Sequence, residues 1–250
     1  MTPSPETEER PSSPGQVILL QELLDLAPRA DVLDSQLVIL TVLAGLIALG
    51  GLFLNSIAVI IGAMVISPLL EPIYAATVFL ANGSVRKFFQ HMKVLGILVV
   101  VLIFISALVT ASLTAIMTLP VTPEILSRLG QQEVSAILAI LLGITAVVAH
   151  KRGFITAVIG VGISVALVPP VVVTGITLVL MPTRIFDALS LVLNNILGLL
   201  AGMLIAVIGL GVGPRNPAKL ILTRTNLYLM GITVSGLLLV IFFLLRIARQ

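Results

Sequence analysis

Seven apolar stretches succeed one another along the chain, at about 37–54, 56–81, 94–118, 133–149, 155–181, 188–213 and 226–245, with short polar linkers between them. Each meets the length needed to cross a bilayer, about 20 residues with a range of roughly 17 to 25 for a helix. Inside hydrocarbon every backbone N–H and C=O must be satisfied within the protein, which leaves the helix as the form for single spans. The expected fold is therefore an all-α integral membrane protein of about seven transmembrane helices filling nearly all of residues 37 to 245. Composition agrees: 58% of residues are hydrophobic and 10% charged, where soluble domains carry about 25% charge. The mean hydropathy is +1.22.

The same composition excludes several functions. A net charge of +3, with no basic cluster interleaved with aromatics, gives no footprint for nucleic acid. Cysteine is absent and the two histidines, His91 and His150, fall in separate polar linkers, so neither a metal nor any other cofactor is expected. No Asp pair or Ser–His pair lies within the spans, and HExxH, P-loop and complete dinucleotide-binding fingerprints are missing, so the chain does not read as an enzyme.

Residues 1–36 read as a cytoplasmic leader. The first 16 are rich in Pro, Ser and Glu and resemble neither a signal peptide nor a packed segment. Val17, Leu20, Leu23, Leu24 and Ala27 then recur at helical spacing, predicting a short amphipathic helix that ends at Pro28. Its acidic polar face suits packing on the protein, a neutral interfacial position, or a partner. With the N-terminus inside, Arg10, Arg29, Arg86, Lys87, Lys93, Lys151, Arg152, Arg215, Lys219 and Arg224 lie on the cytoplasmic side, and Arg128, Arg184, Arg246 and Arg249 opposite. This asymmetry predicts a cytoplasmic N-terminus.

Shifting the sequence by 98 positions aligns Gly45 with Gly143, Gly62 with Gly160, Pro72 with Pro170, Arg86 with Arg184 and Phe88 with Phe186. Residues 37–118 and 133–213 thus read as two three-helix repeats, with 226–245 as a seventh helix. Three is odd, so the second repeat enters the membrane inverted. Inverted repeats with interrupted helices build many secondary transporters, whose sites lie near the bilayer midplane. Duplication of a stable membrane fold without transport is the lesser alternative.

Two motifs carry what chemistry there is: Ser67-Pro68-Leu69-Leu70-Glu71-Pro72 in the second segment and Ser164-Val165-Ala166-Leu167-Val168-Pro169-Pro170 in the fifth. A helix proline lacks its N–H and strands the carbonyl four residues back. Breaks are accordingly expected in both helices, freeing the carbonyls of Met64, Pro68, Val165 and Ala166 to face protein or a wet cavity. Glu71 is the one acid deep in a span, a position disfavoured by roughly 2.5–3.5 kcal/mol on insertion scales. It is a candidate proton or cation acceptor, or a carboxyl that locks the broken helix. Tyr74, one turn on, is a candidate donor to it. Asn194 and Asn195 in the sixth segment either line a cavity or bond neighbouring helices. Gly198-x-x-x-Gly202 and Gly209-x-x-x-Gly213 read as close helix packing, within the chain or between subunits, which leaves a homo-oligomer open.

At these motifs the chain resembles a family of uncharacterised hydrophobic membrane proteins, the domain of unknown function 389. Asn55-Ser56-x-Ala58-Val59-Ile60-Ile61-Gly62-Ala63-Met64-x-Ile66-Ser67-Pro68-Leu69 is similar to its first signature, Val165-Ala166-Leu167-Val168-Pro169-Pro170 to its second, and Asn194-Asn195 fits the segment that follows. The resemblance spans about residues 36–213. It implies a bacterial inner-membrane location and supplies no activity; Glu71 stands where many relatives carry a small or polar residue. The expected function is a secondary transporter or channel-like permease for a small solute or ion, with Glu71 as proton or cation acceptor. Its site would lie among Ser67, Pro68, Glu71, Pro72, Tyr74, Ser164, Pro169, Pro170, Asn194 and Asn195. The alternative is a non-transporting scaffold or sensor whose N-terminal segment binds a partner.

Overall fold

The computed structural model describes residues 33–130, 132–151, 156–210, 223, 225–234 and 236–237. The leader's expected amphipathic helix, Gly213 and residues 235 and 238–245 of the expected seventh helix lie outside the described residues. Eight α-helices are named here: α1 (Ser35–Phe53), α2 (Ile57–Ile66), α3 (Leu70–Ala81), α4 (Val85–Thr114), α5 (Pro123–Gly130), α6 (Gln132–Lys151), α7 (Thr156–Leu180) and α8 (Ile185–Gly209). A 3₁₀ turn, Pro182–Arg184, precedes α8, and residues 225–234 are helical as well. No strand occurs among the described residues.

Local chemistry sets several helix limits. The Asp34 carboxylate accepts from the Gln36 N–H at the start of α1, serving one of the donors a helix N-terminus leaves over. At its end Asn55 takes a left-handed φ of 52°. The Ser56 N–H then reaches the Gly51 carbonyl at 2.8 Å and the Asn55 N–H that of Leu52 at 3.2 Å, a Schellman closure. Gly83, at φ 80°, closes α3 in the same way, with Ser84 N–H on Phe79 and Gly83 N–H on Leu80, each at 2.9 Å. The tight turn Asn82–Ser84 lets α4 begin at Val85, nine residues before the expected apolar start. His91 therefore lies on the buried face of α4, 1% exposed and stacked on Phe79 at 5.0 Å, and not in a polar linker.

The segment between the third and fourth spans forms α5, a helix the apolar pattern did not announce. Thr122 caps it: its hydroxyl donates to the Leu52 carbonyl at 2.7 Å and accepts from the Ile125 N–H at 3.4 Å. Pro123 follows at the first helical position, where a missing N–H is harmless. The Asn55 side chain takes the Glu124 N–H at 3.2 Å. Ile125 and Leu129 are fully buried, so α5 is held across the end of α1, α7 and α8. It meets α6 at a bend of 85°.

The helices at the centre are those with the proline motifs. From Pro72 to Val78 α3 is buried on every side, and so is α7 from Ala166 to Thr177. A helix apolar all round belongs in the interior of a bundle. Around them α1, α4, α6 and α8 turn large apolar residues outward, among them Ile39, Leu43, Val100, Phe104, Ile137 and Leu141. Glycines bring helices together: a Cβ on Gly198 or Gly202 would run into the backbone of α6, and one on Gly143 into that of α8. The Gly198–Gly202 pair thus packs within the chain, whereas no atom of the described residues lies within 4 Å of a Cβ on Gly209.

By length and composition α1, α4 and Pro182–Gly209 can each cross a membrane, and five elements can if each bent helix pair is one span. Ser164–Leu180 adds a shorter apolar stretch. The architecture is compatible with a multi-pass membrane protein.

Candidate functional site

The two proline motifs behave differently. The first breaks its helix: α2 stops at Ile66, Ser67 is extended (φ −70°, ψ 126°), and α3 leaves at a bend of 49°. A residue before proline is pushed out of the helical region, which Ser67 obeys. The second does not break, contrary to the sequence expectation. Helix α7 runs from Thr156 to Leu180 with Pro169 and Pro170 inside it.

The difference follows from where each stranded carbonyl finds a donor. Pro72 cannot serve the Pro68 carbonyl, so the Glu71 N–H turns to it at 3.0 Å. That removes the donor the Ser67 carbonyl would have had in a continuous helix. The Ser164 hydroxyl of α7 replaces it, 3.3 Å away, and the Ser67 hydroxyl accepts from the Leu69 N–H at 3.4 Å. In α7, Pro170 strands the Ala166 carbonyl. Asn195 of α8 donates its amide Nδ2 there at 2.7 Å, so helical geometry continues past the prolines with the Ala166 carbonyl served from outside.

These contacts lie at one depth. Thr77 of α3 touches Met203 of α8 through Oγ1 and Sδ at 3.4 Å. One end of the bundle gathers Leu52, Asn55, Thr122, Glu124 and Leu129, with Arg184 reaching the Leu129 carbonyl at 3.5 Å. The opposite end of the α2–α3 pair has Gly83 beside Thr223. Helix α8 starts at the Arg184 end and α3 finishes at the Gly83 end, so the two run parallel. Asn195 is eight residues before Met203, and Leu69 eight before Thr77, each about 12 Å along its helix. Asn195 therefore sits level with the Ser67–Leu69 break, where Ser164 and Ala166 also arrive.

Of the expected site residues, Ser67, Ser164 and Asn195 are brought together, and buried Pro68, Pro72, Pro169 and Pro170 shape the backbone around them. Asn194 is 5% exposed and points about 100° round α8 from Asn195, away from this contact. Glu71 sits half-buried in the first turn of α3, where the helix dipole favours negative charge. Tyr74 is 3% exposed, one turn further into the bundle. Ala166 was read only as a stranded carbonyl, and its partner was not foreseen; the proline four residues on was the available signal. Among the described residues no group of three or more His, Cys, Asp or Glu is placed to hold a metal.

The fold and site define a helical bundle, compatible with a multi-pass membrane protein, whose two central helices carry proline motifs sealed by side chains of their neighbours. The chain belongs to the family described as domain of unknown function (DUF389), whose pattern matches residues 64–201 and so includes the Ser67–Ser164 and Ala166–Asn195 contacts. An uncharacterized protein of Methanocaldococcus jannaschii is 27% identical over 218 residues, which cover 86% of this chain. The chain spans 66% of that relative's length. No solved structure matches the chain.

Proposed function

We propose that the protein is a secondary transporter or channel-like permease for a small solute or ion, with its site where the two proline motifs meet. One observation carries this reading: Ser67 and Ser164, 97 positions apart, join in a hydrogen bond at the centre of the bundle. Backbone carbonyls stranded in the interior of a membrane bundle are costly, and transporters use them beside interrupted helices to hold substrate or coupling ions. Glu71, one helical turn from Ser67, is the proton or cation acceptor in this scheme.

The finer architecture in the proposal is seven spans, six of them in two inverted three-helix repeats, in a plasma membrane with the N-terminus cytoplasmic. Two features support it. Gly45 and Gly143, equivalent under the 98-residue shift, each lie against the third helix of their own half, on Leu102 and on the Leu199–Met203 backbone. The turns also alternate between bundle ends, with the 54–56 and 182–184 turns at one and the 82–84 turn at the other, as successive crossings require.

A second reading is a non-transporting scaffold or sensor, favoured by the fact that the Ser67 and Ala166 carbonyls already have donors. Flux into proteoliposomes separates the two. Cations, anions and small metabolites are screened under an imposed proton gradient, for wild type and Glu71→Gln. Gradient-driven flux that disappears in Glu71→Gln supports the coupled permease. Flux that survives removes Glu71 from the mechanism, and no flux for any solute favours the scaffold.

A further inference from the structure

Asn195 is used on one side only. Its amide nitrogen is fixed by the Ala166 carbonyl at 2.7 Å, because an oxygen turned to that carbonyl would be repelled. The orientation therefore leaves Oδ1 facing the other way. That oxygen is buried and has no hydrogen-bond partner among the described residues, on a side chain whose residue is 2% exposed. Buried polar atoms in native proteins are nearly always satisfied, so such an atom calls for an occupant.

The surroundings restrict what the occupant is. The polar atoms at this depth are oxygens: Asn195 Oδ1, the Ala166 and Ser67 carbonyls, each with a second lone pair, and the Ser67 and Ser164 hydroxyls. An anion meets mostly acceptors there, with the Ser67 hydroxyl and the second amide hydrogen of Asn195 as the uncommitted donors and no positive charge among these groups, so it is disfavoured. Soft or transition metals prefer nitrogen and sulfur ligands, and none of these atoms is either. Divalent calcium and magnesium are held through carboxylates, whereas the oxygens at this depth are neutral and Glu71 is the single acid nearby. Neutral carbonyl and amide oxygens suit an ion of charge one, as in potassium filters.

We infer that the contact between the Ser67 break and α7–α8 is a site for a dehydrated monovalent alkali cation, with Asn195 Oδ1 as its side-chain ligand. The inference rests on the permease reading for its purpose, since it names the transported or coupling ion; the site itself stands on the buried oxygens. Asn195 then has two tasks: its nitrogen holds α7 helical across Pro170, and its oxygen faces the ion.

Equilibrium binding of radiolabelled sodium and rubidium to the full chain in detergent, with choline chloride holding ionic strength, tests this. Wild type binds one of the two saturably, and Asn195→Ala weakens that binding by about tenfold or more, as loss of a metal-site contact does. Asn195→Asp is the decisive variant. It keeps an oxygen and adds charge, yet loses the donor to Ala166. A ligand role predicts binding at least as tight as wild type, whereas a merely structural role predicts a loss equal to that of Asn195→Ala. No saturable binding of either cation to wild type overturns the site and leaves water as the occupant, and so does an Asp variant as weak as the Ala variant. Binding without flux of any solute keeps the site and removes the permease reading. Flux with no cation binding keeps the permease and removes this site.

Discussion

Replacing Gly143 by alanine puts a Cβ against the Leu199 carbonyl, 2.9 Å from the Met203 nitrogen and 3.1 Å from Gly202 Cα. All three belong to the α8 backbone, which cannot rotate away as a side chain can. Overpacking of this kind costs about 1–3 kcal/mol, set against a gain of up to about 1 kcal/mol in helix propensity. The equivalent glycine of the first half supplies the contrast: a Cβ on Gly45 meets only the tip of the Leu102 side chain. Gly96, with nothing within 4 Å, measures the propensity term alone. Thermal melts followed by helical circular dichroism in detergent then order the variants Gly96→Ala, Gly45→Ala, Gly143→Ala from most to least stable. For a chain of this length 1 kcal/mol shifts the midpoint by roughly 2–4 °C. Gly143→Ala is expected to melt several degrees below Gly96→Ala. A Gly143→Ala midpoint at or above that of Gly45→Ala refutes the backbone-to-backbone contact between α6 and α8.

Other expectations concern the polar seals. Asn195→Leu leaves the Ala166 carbonyl without its donor and lowers stability by about 1–2 kcal/mol, the upper range for hydrogen bonds inside membrane bundles, read from the same melts. Ser164→Ala, which removes a longer bond of 3.3 Å, costs less, about 0.6 kcal/mol; a loss equal to that of Asn195→Leu contradicts the geometry. At the α5 cap, Thr122→Val costs about 1 kcal/mol, and hydrogen exchange in residues 123–129 quickens while the centre of α3 stays protected. Asn55→Gly retains the left-handed turn and loses only the cap on Glu124, so it destabilises less than Asn55→Ala in a denaturant series.

Pro169 and Pro170 show where inference from the chain stopped. Both proline motifs strand a carbonyl by the same local rule, and that rule predicts two broken helices. Whether a helix breaks depends on who supplies the missing donor. At Ala166 it is Asn195, 29 positions away; at Pro68 it is the Glu71 N–H, which leaves the Ser67 carbonyl to Ser164, 97 positions away. Neither distance is visible in a local pattern, although the motifs and the asparagine were all recognised as residues of interest. Helix α5 was legible after the fact in Thr122-Pro123-Glu124, a cap followed by proline at the first helical position, but its low apolar content hid it from a search for spans. The early start of α4 was hidden for the opposite reason: Arg86, Lys87 and Lys93 read as a linker, while the turn at Gly83 lets the helix begin among them.

The amino-acid sequence by itself determined the helical class, the family and the residues worth watching, because a chain so poor in charge must satisfy its backbone internally and prolines act on their own fourth neighbour. Only the tertiary structure decided which proline helix breaks, that Asn195 and not Asn194 faces the break, and that Gly198 and Gly202 pack within the chain. Those outcomes turn on donors and backbone surfaces contributed by other helices, and a stranded carbonyl carries no local sign of which helix will serve it.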